Sequence, residues 1–104
     1  MQPDVSFLDG HEVAVFTAEW CGDCRRLKRF LESTGVVYRE VDIEADPAAA
    51  ERLESETGKR AIPFLLLNGR AWVRGYHKEL TSRLDPRLFL DELRAALAES
   101  GRLG

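Results

Sequence analysis

Cys21 and Cys24 are the only cysteines of the 104-residue chain, and Gly22 and Asp23 separate them. Two thiols at that spacing can pass between dithiol and disulfide, exchanging two electrons with a partner disulfide. A bridge between them closes too small a loop to remove much unfolded-state entropy, so a structural staple is excluded. The pair is also half of a tetrahedral zinc site, which needs two more ligands. His11 and His77 are the only histidines and lack paired-ligand spacing. Redox chemistry is therefore the stronger reading, with no bound metal expected.

The chemistry needs a thiolate, and the flanking residues place one. Val13 to Thr17 is a short apolar run of the kind that forms a strand covered on both faces. After the cysteines, Leu27, Phe30 and Leu31 recur at helical spacing, with Arg25, Arg26, Lys28, Arg29 and Glu32 turned elsewhere. Cys21 then sits at or near the helix N-cap and Cys24 about one turn inside. Unpaired N–H groups and the positive end of the helix dipole favour negative charge there. Cys21 is the expected nucleophile and Cys24 the expected resolving residue. The basic residues strengthen the local field, whereas Asp23 works against it.

Further along, Gly35 is placed to end the first helix and Val36 to Ile43 reads as a second strand. Asp46 suits an N-cap, Pro47 the first helical position and Gly58 the C-terminal stop of a second helix, with Ala50, Leu53 and Thr57 on its buried side. Phe64 to Leu67 forms a buried strand, Asn68-Gly69 a two-residue hairpin turn, and Arg70 to Arg74 the returning strand. Leu80 and Leu84 suggest a short helix. Asp85-Pro86 opens a closing helix with the stripe Phe89, Leu93, Ala96 and Leu97, and Gly101 falls just past its expected end. The order predicts an α/β fold, a four-stranded mixed sheet (β-α-β-α-β-β-α) with helices on both faces and an added C-terminal helix.

The composition fits residues 1–104 forming one globular domain, 44% hydrophobic and 32% charged. No apolar run nears the roughly 18 residues of a membrane span. The first ten residues carry no signal-peptide pattern, which makes the cytosol the expected location. The net charge of −3 disfavours nucleic acid as a partner. A monomer without a resident cofactor is expected.

A second candidate element is Ile62-Pro63 at the start of a strand. Proline is tolerated there because it need not donate to the ladder, and the residues alone favour an ordinary trans bond. Taken together with Ala18-Glu19-Trp20-Cys21-Gly22-Asp23-Cys24, however, the stretch Gly58 to Asn68-Gly69 resembles the thioredoxin superfamily, specifically its small glutaredoxin-like members, over residues 12 to 84. That resemblance implies a thioredoxin-like fold, a thiol–disulfide oxidoreductase acting on protein disulfides or low-molecular-weight-thiol mixed disulfides, and a cis Ile62–Pro63 bond against the cysteines. Val41-Asp42-Ile43-Glu44 and Trp72-Val73-Arg74-Gly75-Tyr76 read like the mycoredoxins and the redoxins dedicated to ribonucleotide reductase.

The departures matter as much. There is no room before Val13 for the extra strand and helix of thioredoxins, and their buried aspartate falls on Val15. The resemblance then leaves Glu40 or water as the proton acceptor for Cys24. The glutaredoxin lysine is Ala18, and the segment that grips glutathione is Arg74-Gly75-Tyr76-His77, so half of that clamp is missing. Arg60, with Lys59 beside it, is retained and suits a carboxylate. The expected substrate groove comprises Trp20, Gly22, Asp23, Arg60, Ile62, Gly75, Tyr76 and His77, with Trp20 a partly exposed rim platform and Trp72 a core residue. The alternatives to a broad reductase are a dedicated electron donor to one partner enzyme and an iron–sulfur cluster carrier using Cys21. The expected reductant is glutathione, mycothiol, bacillithiol or a reductase.

Overall fold

Strand β1 (Val13–Thr17) is buried at every position because it runs through the middle of the sheet with helices on both sides. The computed structural model describes residues 3–103, with side chains through Ser100. The sheet order is β2-β1-β3-β4, where β2 is Arg39–Asp42, β3 is Phe64–Leu67 and β4 is Ala71–Arg74. β1 pairs in parallel with β2 and antiparallel with β3, and β3 pairs antiparallel with β4. The mixed sheet is thus as expected. Among the described residues no helix is long and apolar enough to cross a membrane.

The alternation of strand side chains divides the core into two layers. Val13, Val15, Leu65, Leu67 and Val73 pack with Leu27 and Leu31 of α1 (Gly22–Thr34) and with Phe89, Leu90 and Leu93 of α3 (Pro86–Leu103). Ala14, Phe16, Phe64 and Leu66 face the other way, onto Leu53 of α2 (Pro47–Thr57). Trp72 is only partly buried, with its ring edge against Phe16 and Phe64 and its indole N–H on Glu56.

The helix boundaries follow their caps. Cys21 is the N-cap of α1, and Gly35 ends it at φ +79, where the N–H groups of Gly35 and Val36 bond to the Glu32 and Leu31 carbonyls. The Asp46 side chain caps α2 by accepting the Ala49 N–H at 3.2 Å. Asn68 and Gly69 both have positive φ, the requirement of the mirror-image hairpin turn.

Three expectations need correction. The second strand is Arg39–Asp42, not Val36 to Ile43, because the Val36 N–H is taken by the α1 cap and Val37 stands 88% exposed. The short helix around Leu80 and Leu84 is absent. Leu80 N–H bonds to the His77 carbonyl, Arg83 N–H to that of Leu80, and His77 N–H to that of Arg83, so the segment closes into consecutive reverse turns. The closing helix is therefore the last element of the β-α-β-α-β-β-α order, and it continues through Gly101 to Leu103. A glycine near a helix end costs only about 1 kcal/mol, too little to stop it there.

Candidate active site

The two thiols meet at the first turn of α1. The Cys24 N–H donates to Cys21 Sγ at 3.1 Å, so the sulfur fills the capping role that a serine or aspartate oxygen usually takes. A negative sulfur at this place gains from the free N–H groups and the dipole of a 13-residue helix. Cys21 retains 7% exposure and Cys24 none. Both residues are buried, and Cys21 is the one that keeps some contact with solvent. Burial, reinforced by the neighbouring Cys21 sulfur, pushes the Cys24 thiol up to about 11.

Thr17, the last residue of β1, lies close to Cys24. Its Oγ1 is buried and makes no hydrogen bond among the described residues. Its proximity opposes part of the upward shift of the Cys24 thiol, in the direction that favours the thiolate. Sequence reading had no means of selecting Thr17, a strand residue without a motif. Glu40, the expected proton acceptor, pairs instead with Lys28 at 2.7 Å on the exposed side of the sheet edge.

The Ile62–Pro63 bond is cis, as the resemblance implies and against the trans reading from the residues alone. Tertiary packing selects the isomer of such a bond, and the local sequence does not contain that packing. The Ile62 carbonyl lies 3.9 Å from Cys21 Sγ. Pro63 is buried beside Gly75, whose N–H donates to the Pro63 carbonyl at 2.9 Å. A Cβ built on Gly75 would come within 2.6 Å of Leu27 Cδ2 and 3.1 Å of Pro63 Cγ. Glycine is required there because three elements converge, not because of its backbone angles.

The other groove candidates separate. Gly22 is exposed at the start of α1, with the Arg25 guanidinium beside it. Trp20 is 67% exposed and donates its indole N–H to Glu44, at the rim of an open cleft of about 460 Å³ lined also by Glu19 and Asp42. Arg60 is on the surface in a 3.2 Å pair with Glu54.

Three candidates do not line an open groove. His77 is fully buried: Nδ1 accepts the Asp85 N–H at 3.0 Å and Nε2 lies 3.3 Å from Glu92 Oε1. Both ring nitrogens are spent inside the fold. Tyr76 is 5% exposed with its ring edge on Phe64, so it packs rather than presenting a face to a ligand. Asp23 is held by Arg83 and Arg26 rather than open to substrate. Arg83 was not expected, and no local signal marks it, since it reaches Asp23 from 60 residues away.

Comparisons with known proteins agree with this construction. The chain is 44% identical over 52 residues to a glutaredoxin homologue of Mycobacterium tuberculosis, covering 49% of this chain and 62% of the relative. It thus spans about three-fifths of the length of that protein. The glutaredoxin-like protein NrdH of Escherichia coli is 27% identical over 74 residues, 71% of this chain and 89% of the relative. Among solved structures, the thioredoxin-like protein BC3987 superposes with a TM-score of 0.56 at 31% identity, covering 65% of this chain and 92% of the other. The glutaredoxin of Archaeoglobus fulgidus gives 0.55 at 26% identity over 74% and 88%. The glutaredoxin family model matches residues 13–72, from the start of β1 into β4 and so across both cysteines and the cis-proline, and the chain belongs to the glutaredoxin family.

Proposed function

We propose that this chain is a thiol–disulfide oxidoreductase that reduces protein disulfides, or mixed disulfides with a low-molecular-weight thiol, through Cys21 and Cys24. The observation that supports it most is the Cys24 N–H to Cys21 Sγ contact at the start of α1, with Cys21 the less enclosed of the two residues. The Cys21 thiolate attacks one sulfur of the substrate disulfide; a Cys21–substrate bond forms, the substrate S–S bond breaks, and one substrate thiolate leaves. Cys24 then loses its proton and attacks Cys21 Sγ, forming the Cys21–Cys24 disulfide and releasing the second thiolate. Two electrons pass to the substrate, and the two released thiolates take up protons. A reducing thiol (glutathione, mycothiol or bacillithiol) or a reductase restores the dithiol. No resident cofactor is called for, and the cytosol supplies the reducing surroundings the cycle needs.

The test is turnover of a mixed-disulfide substrate and of an insulin-type protein disulfide. Cys21→Ser is expected to lose both activities; unchanged rates would sink the assignment of the nucleophile. Cys24→Ser is expected to accumulate the mixed disulfide with protein substrates and to retain activity only on small-thiol adducts.

A dedicated electron donor to one enzyme is the second reading. The burial of His77 favours it, since both ring nitrogens are engaged inside the fold and neither is left for a small thiol. Trapping with Cys24→Ser in a lysate separates the two: one dominant adduct supports a dedicated donor, and many adducts support a general reductase.

A further inference from the structure

An aspartate between two redox cysteines is unfavourable on elementary grounds, because a carboxylate beside Cys21 disfavours a second negative charge. Asp23 is not left unpaired. Arg83 Nε donates to its Oδ1 at 2.8 Å and Nη2 to its Oδ2 at 2.5 Å, the two-pronged geometry that fits guanidinium to carboxylate. Arg26 Nη1 adds a third bond at 2.6 Å. The Asp23 side chain keeps only 17% exposure, and the Arg83 guanidinium holds its carboxyl below the usual carboxylate range. Two guanidiniums on one carboxylate leave net positive charge next to the N-terminus of α1.

The fold goes to some length to deliver Arg83. Its φ is +62, a left-handed conformation that non-glycine residues rarely adopt. Its carbonyl accepts the His77 N–H at 2.7 Å and its N–H bonds to the Leu80 carbonyl at 3.1 Å. The buried His77 ring in turn holds the Asp85 N–H and meets Glu92, which pairs with Arg74 at 2.9 Å. A connected set of polar contacts therefore runs from the β4 and α3 side of the molecule to the residue between the cysteines.

We propose that Arg83 is a positioning residue of the dithiol: it cancels the Asp23 charge beside Cys21 and ties the first turn of α1 to the 75–85 loop. This rests on the reading of Cys21 as the nucleophile. Arg83 touches neither sulfur, and its action passes through Asp23.

The test is the alkylation rate of Cys21 by iodoacetamide at pH 7 and low ionic strength, in the Cys24→Ser background, with a urea midpoint for each variant. Arg83→Met is expected to slow alkylation about threefold, the size of effect a partly exposed charge pair supports. Adding Asp23→Asn to Arg83→Met is expected to restore the rate, and Arg83→Lys to keep most of it. The difference is expected to shrink in 0.5 M salt, where the screening length falls to about 4 Å. An unchanged rate in Arg83→Met, or a loss that Asp23→Asn does not recover, overturns the proposal. Peptide mapping of alkylated wild type keeps the two readings apart, because label on Cys24 in place of Cys21 would instead overturn the nucleophile assignment.

Discussion

Gly75 and Pro63 meet backbone to backbone beside the active site: the Gly75 N–H donates to the Pro63 carbonyl at 2.9 Å, and a Cβ at Gly75 would run into Leu27 of the cysteine-bearing helix. Strand β4, the proline segment and α1 are locked together at this point, so the separation of Cys21 from Ile62 depends on a residue that is remote from both in sequence.

Gly75→Ala should therefore be felt at the thiols. The added Cβ meets Leu27 Cδ2 at 2.6 Å and Leu65 Cδ1 at 3.2 Å, and both leucines are fully buried and confined. Overpacking of this kind costs about 1–3 kcal/mol. A urea midpoint lowered accordingly, together with slower formation of the mixed disulfide in Cys24→Ser, is the expected outcome. A variant as stable as wild type would mean that α1 yields easily.

The Cys24 thiol is pushed up to about 11, above the ordinary thiol value of 9.0, by burial first and by Cys21 second. A buried neutral thiol favours the fold below the ordinary value, and that contribution is lost as pH rises through the raised one. The reduced protein should accordingly lose stability between about pH 9 and pH 11, a loss that Cys24→Ala lacks. Thr17→Val removes the one hydroxyl that favours the Cys24 thiolate while keeping the shape of the side chain. Stability should change by less than about 1 kcal/mol, since an unbonded buried hydroxyl is lost. Release of the trapped substrate by Cys24 should slow at neutral pH, as followed by quenched-flow mass spectrometry. An unaltered release rate would remove Thr17 from the resolving step.

His77→Ala should act on stability and only secondarily on the thiols. It empties a fully buried site and leaves the Asp85 N–H at the start of α3 without its acceptor. Cavity and unpaired donor together predict a loss of about 3 kcal/mol, measured by chemical denaturation. Since Nδ1 accepts from Asp85, a neutral ring carries its proton on Nε2 toward Glu92. His77→Gln, which can supply an acceptor, should recover part of the loss.

How much of this was legible beforehand differs between the parts of the molecule. Cys21 and Cys24, the apolar run before them, the caps Gly35 and Asp46-Pro47, and the Asn68-Gly69 turn are local signals, because each depends on residues within one turn or one strand. Those signals gave the element order and the sulfur chemistry. Val36 misled because its β-branched side chain says nothing of its N–H, which the end of α1 had already claimed. Leu80 and Leu84 misled because helical spacing of two residues does not reveal the His77–Arg83 backbone bond that closes the segment into turns.

By itself the sequence determined that two thiols stand at the start of a helix behind a buried strand. Strand propensity, helix capping and thiol spacing act over a few residues, and no distant partner was needed to read them. Tertiary structure alone decided what surrounds the sulfurs. Thr17 near Cys24, Pro63 beside Gly75, Arg83 on Asp23 and His77 inside the fold are meetings between elements. They follow from packing three layers together, so their energies depend on burial and geometry that no window of the chain contains. The Cys21–Gly22–Asp23–Cys24 motif names the reaction, and the residues gathered around it from β1, β4 and the 75–85 loop set its terms.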